Sequence, residues 1–126
     1  MIMKVKELLD QKGHDVYSVS PEITVLEALQ LMADKEIGAV VVLEEQKMVG
    51  IMSERDYARK VILKGKASKE TLVRDIMSSK VFHIDPDAKV EKCLKLMTKH
   101  HFRHLPVLEA DRIVGVLSIE DVRSVT

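Results

Sequence analysis

The chain has 126 residues, 46% hydrophobic and 32% charged, and its 20 Lys plus Arg offset 20 Asp plus Glu. Zero net charge and only two Tyr and two Phe exclude a nucleic-acid binder that relies on a broad basic field or an aromatic stacking platform. A single cysteine excludes an intrachain disulfide framework, no apolar run approaches the ~18 residues of a membrane span, and Met1–Glu7 carries no signal-peptide pattern, so a soluble cytoplasmic protein is expected.

Val16-Tyr17-Ser18-Val19 is short and rich in strand formers. Pro21 breaks that strand, and Thr24 can cap a helix starting at Val25. Val25, Leu26, Ala28, Leu29 and Met32 recur at helical spacing, which predicts a helix with one buried face, ended by Gly38. Ala39–Leu43 is a continuous apolar run of strand length, as expected of a strand buried on both faces. Glu44–Lys47 is a polar turn, and Met48–Met52 is the next strand. Ser53 opens a second helix with Tyr57, Ala58, Val61 and Ile62 as buried positions. Lys64–Ser68 is a polar surface connection. The scheme then recurs, with a strand over Val81–Ile84, a helix over Val90–Met97, strands over His104–Leu108 and Ile113–Leu117, and a helix from Ser118.

That recurrence is an internal repeat. Shifting the sequence by 65 positions superposes Pro21 on Pro86, Val25 on Val90, and Leu29, Leu31 and Met32 on Leu94, Leu96 and Met97. Val42, Leu43 and Glu44 fall on Val107, Leu108 and Glu109; Val49 and Gly50 on Val114 and Gly115; Ser53 on Ser118; Asp56 on Asp121. No gap is needed from Pro21 to Asp56. Upstream, Val5-Lys6-Glu7-Leu8-Leu9 resembles Val73-Arg74-Asp75-Ile76-Met77 at a shift of 68, so the first copy holds three extra residues around Gly13-His14-Asp15. The repeats divide at residues 1–64 and 65–126, and each reads as β-α-β-β-α with a small sheet and two helices, an α/β (α+β) arrangement. A three-stranded unit of this size is marginal alone, which predicts a pseudo-twofold pair.

The repeated signature is Gly-hydrophobic-x-Ser-x-x-Asp, as Gly50-Ile51-Met52-Ser53-Glu54-Arg55-Asp56 and Gly115-Val116-Leu117-Ser118-Ile119-Glu120-Asp121. Ser followed three residues later by an acid is a capping box, and that alone is a sufficient structural reason for either copy. The same atoms suit a ligand. A carboxylate accepts hydrogen bonds from a ribose cis-diol, helix-start amides suit a phosphate, and a small glycine lets a ligand ring approach the strand. Two copies at one offset favour the functional reading.

These motifs closely resemble a tandem pair of CBS domains, also called a Bateman module. The likeness also includes Ile37-Gly38-Ala39-Val40-Val41-Val42, Phe102-Arg103-His104-Leu105-Pro106-Val107, the lead-in Val73-Arg74-Asp75-Ile76-Met77-Ser78, and Glu54-Arg55-Asp56-Tyr57-Ala58-Arg59-Lys60, which is similar to stand-alone two-repeat members. The resemblance implies a regulatory, energy-sensing module binding AMP, ADP or ATP, with NAD(H) or S-adenosylmethionine as further ligands, in clefts between the repeats. It also implies a homodimer and a regulated partner protein. Carried over residue by residue, one site draws on Ser53, Arg55, Asp56, Ser78, Val81, Phe82, Arg103 and Pro106, and the other on Ser118, Glu120, Asp121, Val16, Tyr17, Ile37, Gly38 and Val41. His104 is read as a polar lining residue. The first repeat departs from the pattern in having Val41 where the second has Pro106. Arg55 and Arg103 stand where the other site has Glu120 and Gly38, so a phosphorylated adenosine is expected to prefer the Asp56 set.

The remaining reactive residues have plainer readings. No acidic or cysteine partner stands at a ligand interval from His100, His101 and His104, so no metal site is expected; His100 and His101 are a solvated helix end. Cys93 aligns with Ala28 and reads as a small buried residue. Arg55, Arg59 and Lys60 suit a solvated basic face, but Arg55 falls inside the motif and is assigned to the site. No Ser-His-Asp ordering, glycine-rich phosphate loop or paired-carboxylate signature is present, so no catalytic residue is expected. A protein-interaction scaffold that binds no ligand is the alternative.

Overall fold

Val5, Leu8 and Leu9 stand at one-face helical spacing, and in the computed structural model, which describes residues 2–126, they are the buried stripe of a first helix, Val5–Lys12 (α1). The lead-in to the second repeat makes the matching but shorter helix Val73–Ile76 (α4). Between them come Ser18–Val19 (β1), Val25–Lys35 (α2), Ala39–Glu44 (β2), Lys47–Ser53 (β3) and Glu54–Tyr57 (α3), which opens into a π-helical turn over Ala58–Ile62. After α4 come Val90–His100 (α5), His104–Glu109 (β4), Arg112–Ser118 (β5) and Ile119–Arg123 (α6).

The chain packs as two compact units, one of Tyr17–Val81, the other of Phe82–Thr126 together with the residues before Tyr17. Each unit therefore takes its lead-in helix from the segment preceding the other repeat. In the first unit β1 pairs parallel with β2, and β2 antiparallel with β3; Val25, Ala28, Met32, Val40, Val42, Met52, Val61, Val73 and Ile76 form its core. In the second, β4 and β5 pair antiparallel over Leu8, Leu9, Val90, Cys93, Met97, Leu105, Leu117 and Val122. The continuous apolar run of β2 is buried from Ala39 to Val42, as its composition requires. The two-residue turns Glu45-Gln46 and Ala110-Asp111 all have positive φ, the twist that suits tight hairpins.

Four details differ from the sequence reading. Gly38 does not end α2. Glu36 does, in the left-handed region at φ 54°, and the Ile37 N–H closes back on the Met32 carbonyl at 3.0 Å. His101 does the same for α5 at φ 58°. Ala58 and Ile62 are exposed, because Tyr57 and Val61 take the inward side of the widened turn. The expected strand Val16–Val19 shrinks to Ser18–Val19. The expected strand Val81–Ile84 shrinks to one parallel bridge between Ile84 and Val107. Pro106 explains the second loss. In the first repeat the Val41 N–H donates to the Tyr17 carbonyl at 3.3 Å. Pro106, at the matching position, has no N–H to offer Phe82, so the ladder stops.

Cys93 is fully buried, and burial pushes its thiol up to about 11. The unfolded thiol ionises near its ordinary 9.0 while the native one holds its proton until about 11, so stability falls as pH rises through that window. Native Cys93 is accordingly expected to resist a thiol-specific disulfide reagent at pH 8 and to react only on unfolding. Stoichiometric labelling faster than global unfolding contradicts this.

Candidate functional site

Each hairpin delivers its motif serine to the start of a short helix, at the same register: Ser53 opposite Ala39, Ser118 opposite His104. Both capping boxes form. The Ser53 N–H donates to Asp56 Oδ2 at 2.9 Å while the Asp56 N–H donates to Ser53 Oγ at 3.2 Å; the corresponding Ser118–Asp121 distances are 2.8 and 3.1 Å. A third amide is also used in each unit. Glu54 N–H donates to the Gly38 carbonyl at 3.0 Å, and Ile119 N–H to the Arg103 carbonyl at 2.8 Å. These helix-start amides, expected to face a phosphate, are thus bonded within the fold.

The motif glycines serve packing. A Cβ on Gly50 would stand 2.7 Å from Met77 Sδ and 2.9 Å from the Ser78 carbonyl oxygen. One on Gly115 would stand 2.5 Å from Leu9 Cδ2. Met77 and Leu9 are the matching residues of the two lead-ins, so at both glycines the absence of a side chain admits the lead-in.

The two carboxylates differ. Asp56 is 8% exposed. Its Oδ2 also accepts the Ser53 hydroxyl at 3.1 Å; its Oδ1 accepts the Ser78 hydroxyl at 3.2 Å and pairs with Lys60 Nζ at 3.1 Å. Lys60 further donates to the Ile76 carbonyl at 2.8 Å. Lys60 is therefore a structural partner of the motif, with its side chain still 42% exposed. Asp121 pairs through Oδ2 with Lys12 Nζ at 3.2 Å, and Lys12 donates to the Val116 carbonyl at 2.6 Å. Burial opposes ionisation of Asp121, but the Ser118 N–H and the Lys12 ammonium outweigh it and hold the carboxyl below its ordinary range. Lys60 was legible as an i,i+4 partner of Asp56. Lys12 was not, because it lies far away in sequence.

The other expected site residues divide between the units. Beside Asp56, the first unit holds Tyr17, Ile37, Gly38, Val41, Ser53, Arg55, Ser78 and Val81; the second holds Val16, Phe82, Arg103, His104, Pro106, Ser118, Glu120 and Asp121. Arg103 and Glu120, expected in opposite sites, form an ion pair at 2.5 Å within one unit. The guanidinium is one of the donors that lower the Glu120 carboxyl, after the residue's own backbone amide. Val41 and Pro106 are buried, and Val16 and Val81 half-buried. Lys35 Nζ lies 5.3 Å above the Tyr17 ring. Phe82 stacks on His100 at 4.2 Å and on Phe102 at 5.2 Å between ring centroids, so His100 is one layer of an aromatic stack rather than merely a solvated end. Ile37 and Gly38 line an open groove of about 590 Å³ in the first unit with Leu29, Met32, Glu36, Glu54 and Tyr57. Among the described residues no group of three or more His, Cys, Asp or Glu could hold a metal ion, and no helix is long and apolar enough to cross a membrane.

Comparisons with known proteins bear on the whole arrangement. The chain is 41% identical over 104 residues to CBSX3, a mitochondrial CBS domain-containing protein of Arabidopsis thaliana. That match takes in 79% of this chain and 50% of the relative, so the chain spans about half the relative's length. A crystal structure of a CBS domain matches at TM-score 0.95 and 41% identity, covering 98% of this chain and 97% of the other. A CBS domain pair solved in complex with 5′-methylthioadenosine and S-adenosyl-L-methionine shares the fold at TM-score 0.89 and 24% identity, covering 99% and 96%. The family pattern described as CBS domain matches twice, at residues 5–63 and 73–125, and with it the chain belongs to the CBS-domain family.

Proposed function

We propose that this protein is a non-enzymatic regulatory module that binds adenosine-containing ligands of the AMP, ADP or ATP type, with a motif carboxylate accepting the ribose hydroxyls. The observation that carries this reading is the duplication. Two carboxylates, Asp56 and Asp121, stand at matched register after matched strands, each with its motif serine beside it. The family relative bound to 5′-methylthioadenosine and S-adenosyl-L-methionine supports the ligand class, and NAD(H) and S-adenosylmethionine belong to the same set of candidates. Ser53, Arg55, Ser78 and Val81 accompany Asp56 in one unit, and Arg103, His104, Ser118 and Glu120 accompany Asp121 in the other. A ligand regulates only by favouring one of two states, and the output then passes to a partner protein or through a homodimer. Exposed Ile62 and Leu63, at the end of the helix that Ser53 opens, supply apolar surface for such self-association. The free Cys93 thiol fits a reducing cytoplasmic setting.

Thermal melting in millimolar AMP, ATP, NADH and S-adenosylmethionine tests the reading. A ligand at a hundred times its dissociation constant adds about 2.7 kcal/mol of stability, an unmistakable rise in Tm. The completed capping boxes favour the second reading, a scaffold whose motif residues serve only the helix starts. No shift with any of the four compounds selects that scaffold.

A further inference from the structure

We infer that the two motif carboxylates are not equivalent receptors, and that Asp121 accepts the ribose diol while Asp56 is closed by its own neighbours. The inference rests on the nucleotide-binding reading above and assigns the site within it. An ionised carboxylate offers about four lone-pair positions. Asp56 has four donors on them: the Ser53 N–H and hydroxyl on Oδ2, and the Ser78 hydroxyl and Lys60 ammonium on Oδ1. A diol brings two more donors, so two of these bonds must first break in a side chain that is only 11% exposed. At Asp121 the Ser118 N–H and the Lys12 ammonium both fall on Oδ2 and the Ser118 hydroxyl also bonds the carboxyl, so three donors stand where Asp56 has four and a diol displaces one bond rather than two. That side chain is also more open, at 25%.

One residue of the lead-in produces the difference. In the first unit α4 stops at Ile76, Met77 turns extended, and Ser78 pairs with Ile51 through both its N–H and its carbonyl at 2.9 and 3.0 Å. That bridge aims the Ser78 hydroxyl at Asp56. In the second unit the corresponding lead-in helix α1 continues to Lys12, and the position matching Ser78 is Asp10. A carboxylate cannot donate to another carboxylate, and Asp10 pairs with His14 instead at 2.8 Å. This ordering is the reverse of the one expected from Arg55 and Arg103, and the Arg103–Glu120 ion pair removes part of the charge difference on which that expectation stood.

The test is calorimetric titration of the whole chain with AMP, read beside thermal melting without ligand. Asp121→Asn is expected to weaken AMP binding by about tenfold or more with a small change in Tm, whereas Asp56→Asn lowers Tm and changes affinity by less than about threefold. Ser78→Ala removes one donor from Asp56 without touching its charge, and is expected to add a second, weaker AMP to a wild-type stoichiometry of one per chain. Two equal sites in the wild type, or a larger affinity loss for Asp56→Asn than for Asp121→Asn, overturns the inequivalence while leaving the nucleotide reading intact. A wild-type chain that binds no adenosine compound refutes that reading and this inference with it.

Discussion

Leu9→Ala is expected to lower the unfolding free energy by about 2–5 kcal/mol, the range for emptying a large buried aliphatic site. Leu9 is 1% exposed and belongs to the core of the second unit. Its end lies where a Gly115 side chain would be, with Cδ2 2.5 Å and Cδ1 2.9 Å from an ideal Cβ. The two positions therefore share one volume. Gly115→Ala alone overfills it and is expected to cost about 1–3 kcal/mol. In the Leu9→Ala background the new methyl enters vacated space, so the double variant is more stable than the sum of the two losses predicts. A coupling of about 1 kcal/mol or more, measured by urea denaturation, is the expected result. Strict additivity would show that Leu9 and Gly115 do not define each other's volume. The pairing also matters for the motif, since Gly115 sits on the strand that delivers Ser118 and Asp121.

Gly50→Ala is expected to be the more damaging glycine replacement, at about 3 kcal/mol, the upper part of the overpacking range. At Gly115 only the end of a leucine must give way. At Gly50 a Cβ meets the Ser78 carbonyl oxygen at 2.9 Å as well as Met77 Sδ at 2.7 Å. That carbonyl cannot retreat alone, because it accepts the Ile51 N–H at 3.0 Å and its residue's N–H is bonded to the Ile51 carbonyl. Backbone must move, and the Ser78 hydroxyl moves with it, away from Asp56 Oδ1. Gly50→Ala is thus expected both to lower Tm and to loosen the Asp56 cluster, visible as changed amide shifts at Ser53 and Asp56 in nuclear magnetic resonance spectra. A cost no greater than that of Gly115→Ala contradicts the contact geometry at Gly50.

What the sequence determined by itself was the set of features written in local spacing. The apolar period of Val25, Ala28 and Met32 specifies α2, and Thr24 with Glu27 three residues later closes its capping box. The run Ala39–Val42 specifies a strand buried on both faces. The doubled Ser-x-x-Asp specifies two helix starts, and the whole set carried the CBS resemblance that the family match then established. Local spacing is legible because helices and strands impose fixed periods on the residues that must face inward.

Tertiary structure decided everything that joins distant segments. Leu9 filling the space at Gly115 and Met77 the space at Gly50 determine which lead-in packs behind which hairpin, and no local pattern announces either contact. Lys12 reaches Asp121 across 109 positions of sequence (121 − 12), and Ser78 reaches Asp56 only because a backbone bridge to Ile51 turns it there. The missing strand at Phe82 is an intermediate case: Pro106 was in plain view, but its consequence depends on which residue needed the absent N–H. The two aspartates are the same letter at the same repeat position. Their lone pairs are filled by neighbours that the fold supplies, and the Ser78 hydroxyl that reaches Asp56 is replaced by the carboxylate of Asp10 at the matching position of the other lead-in.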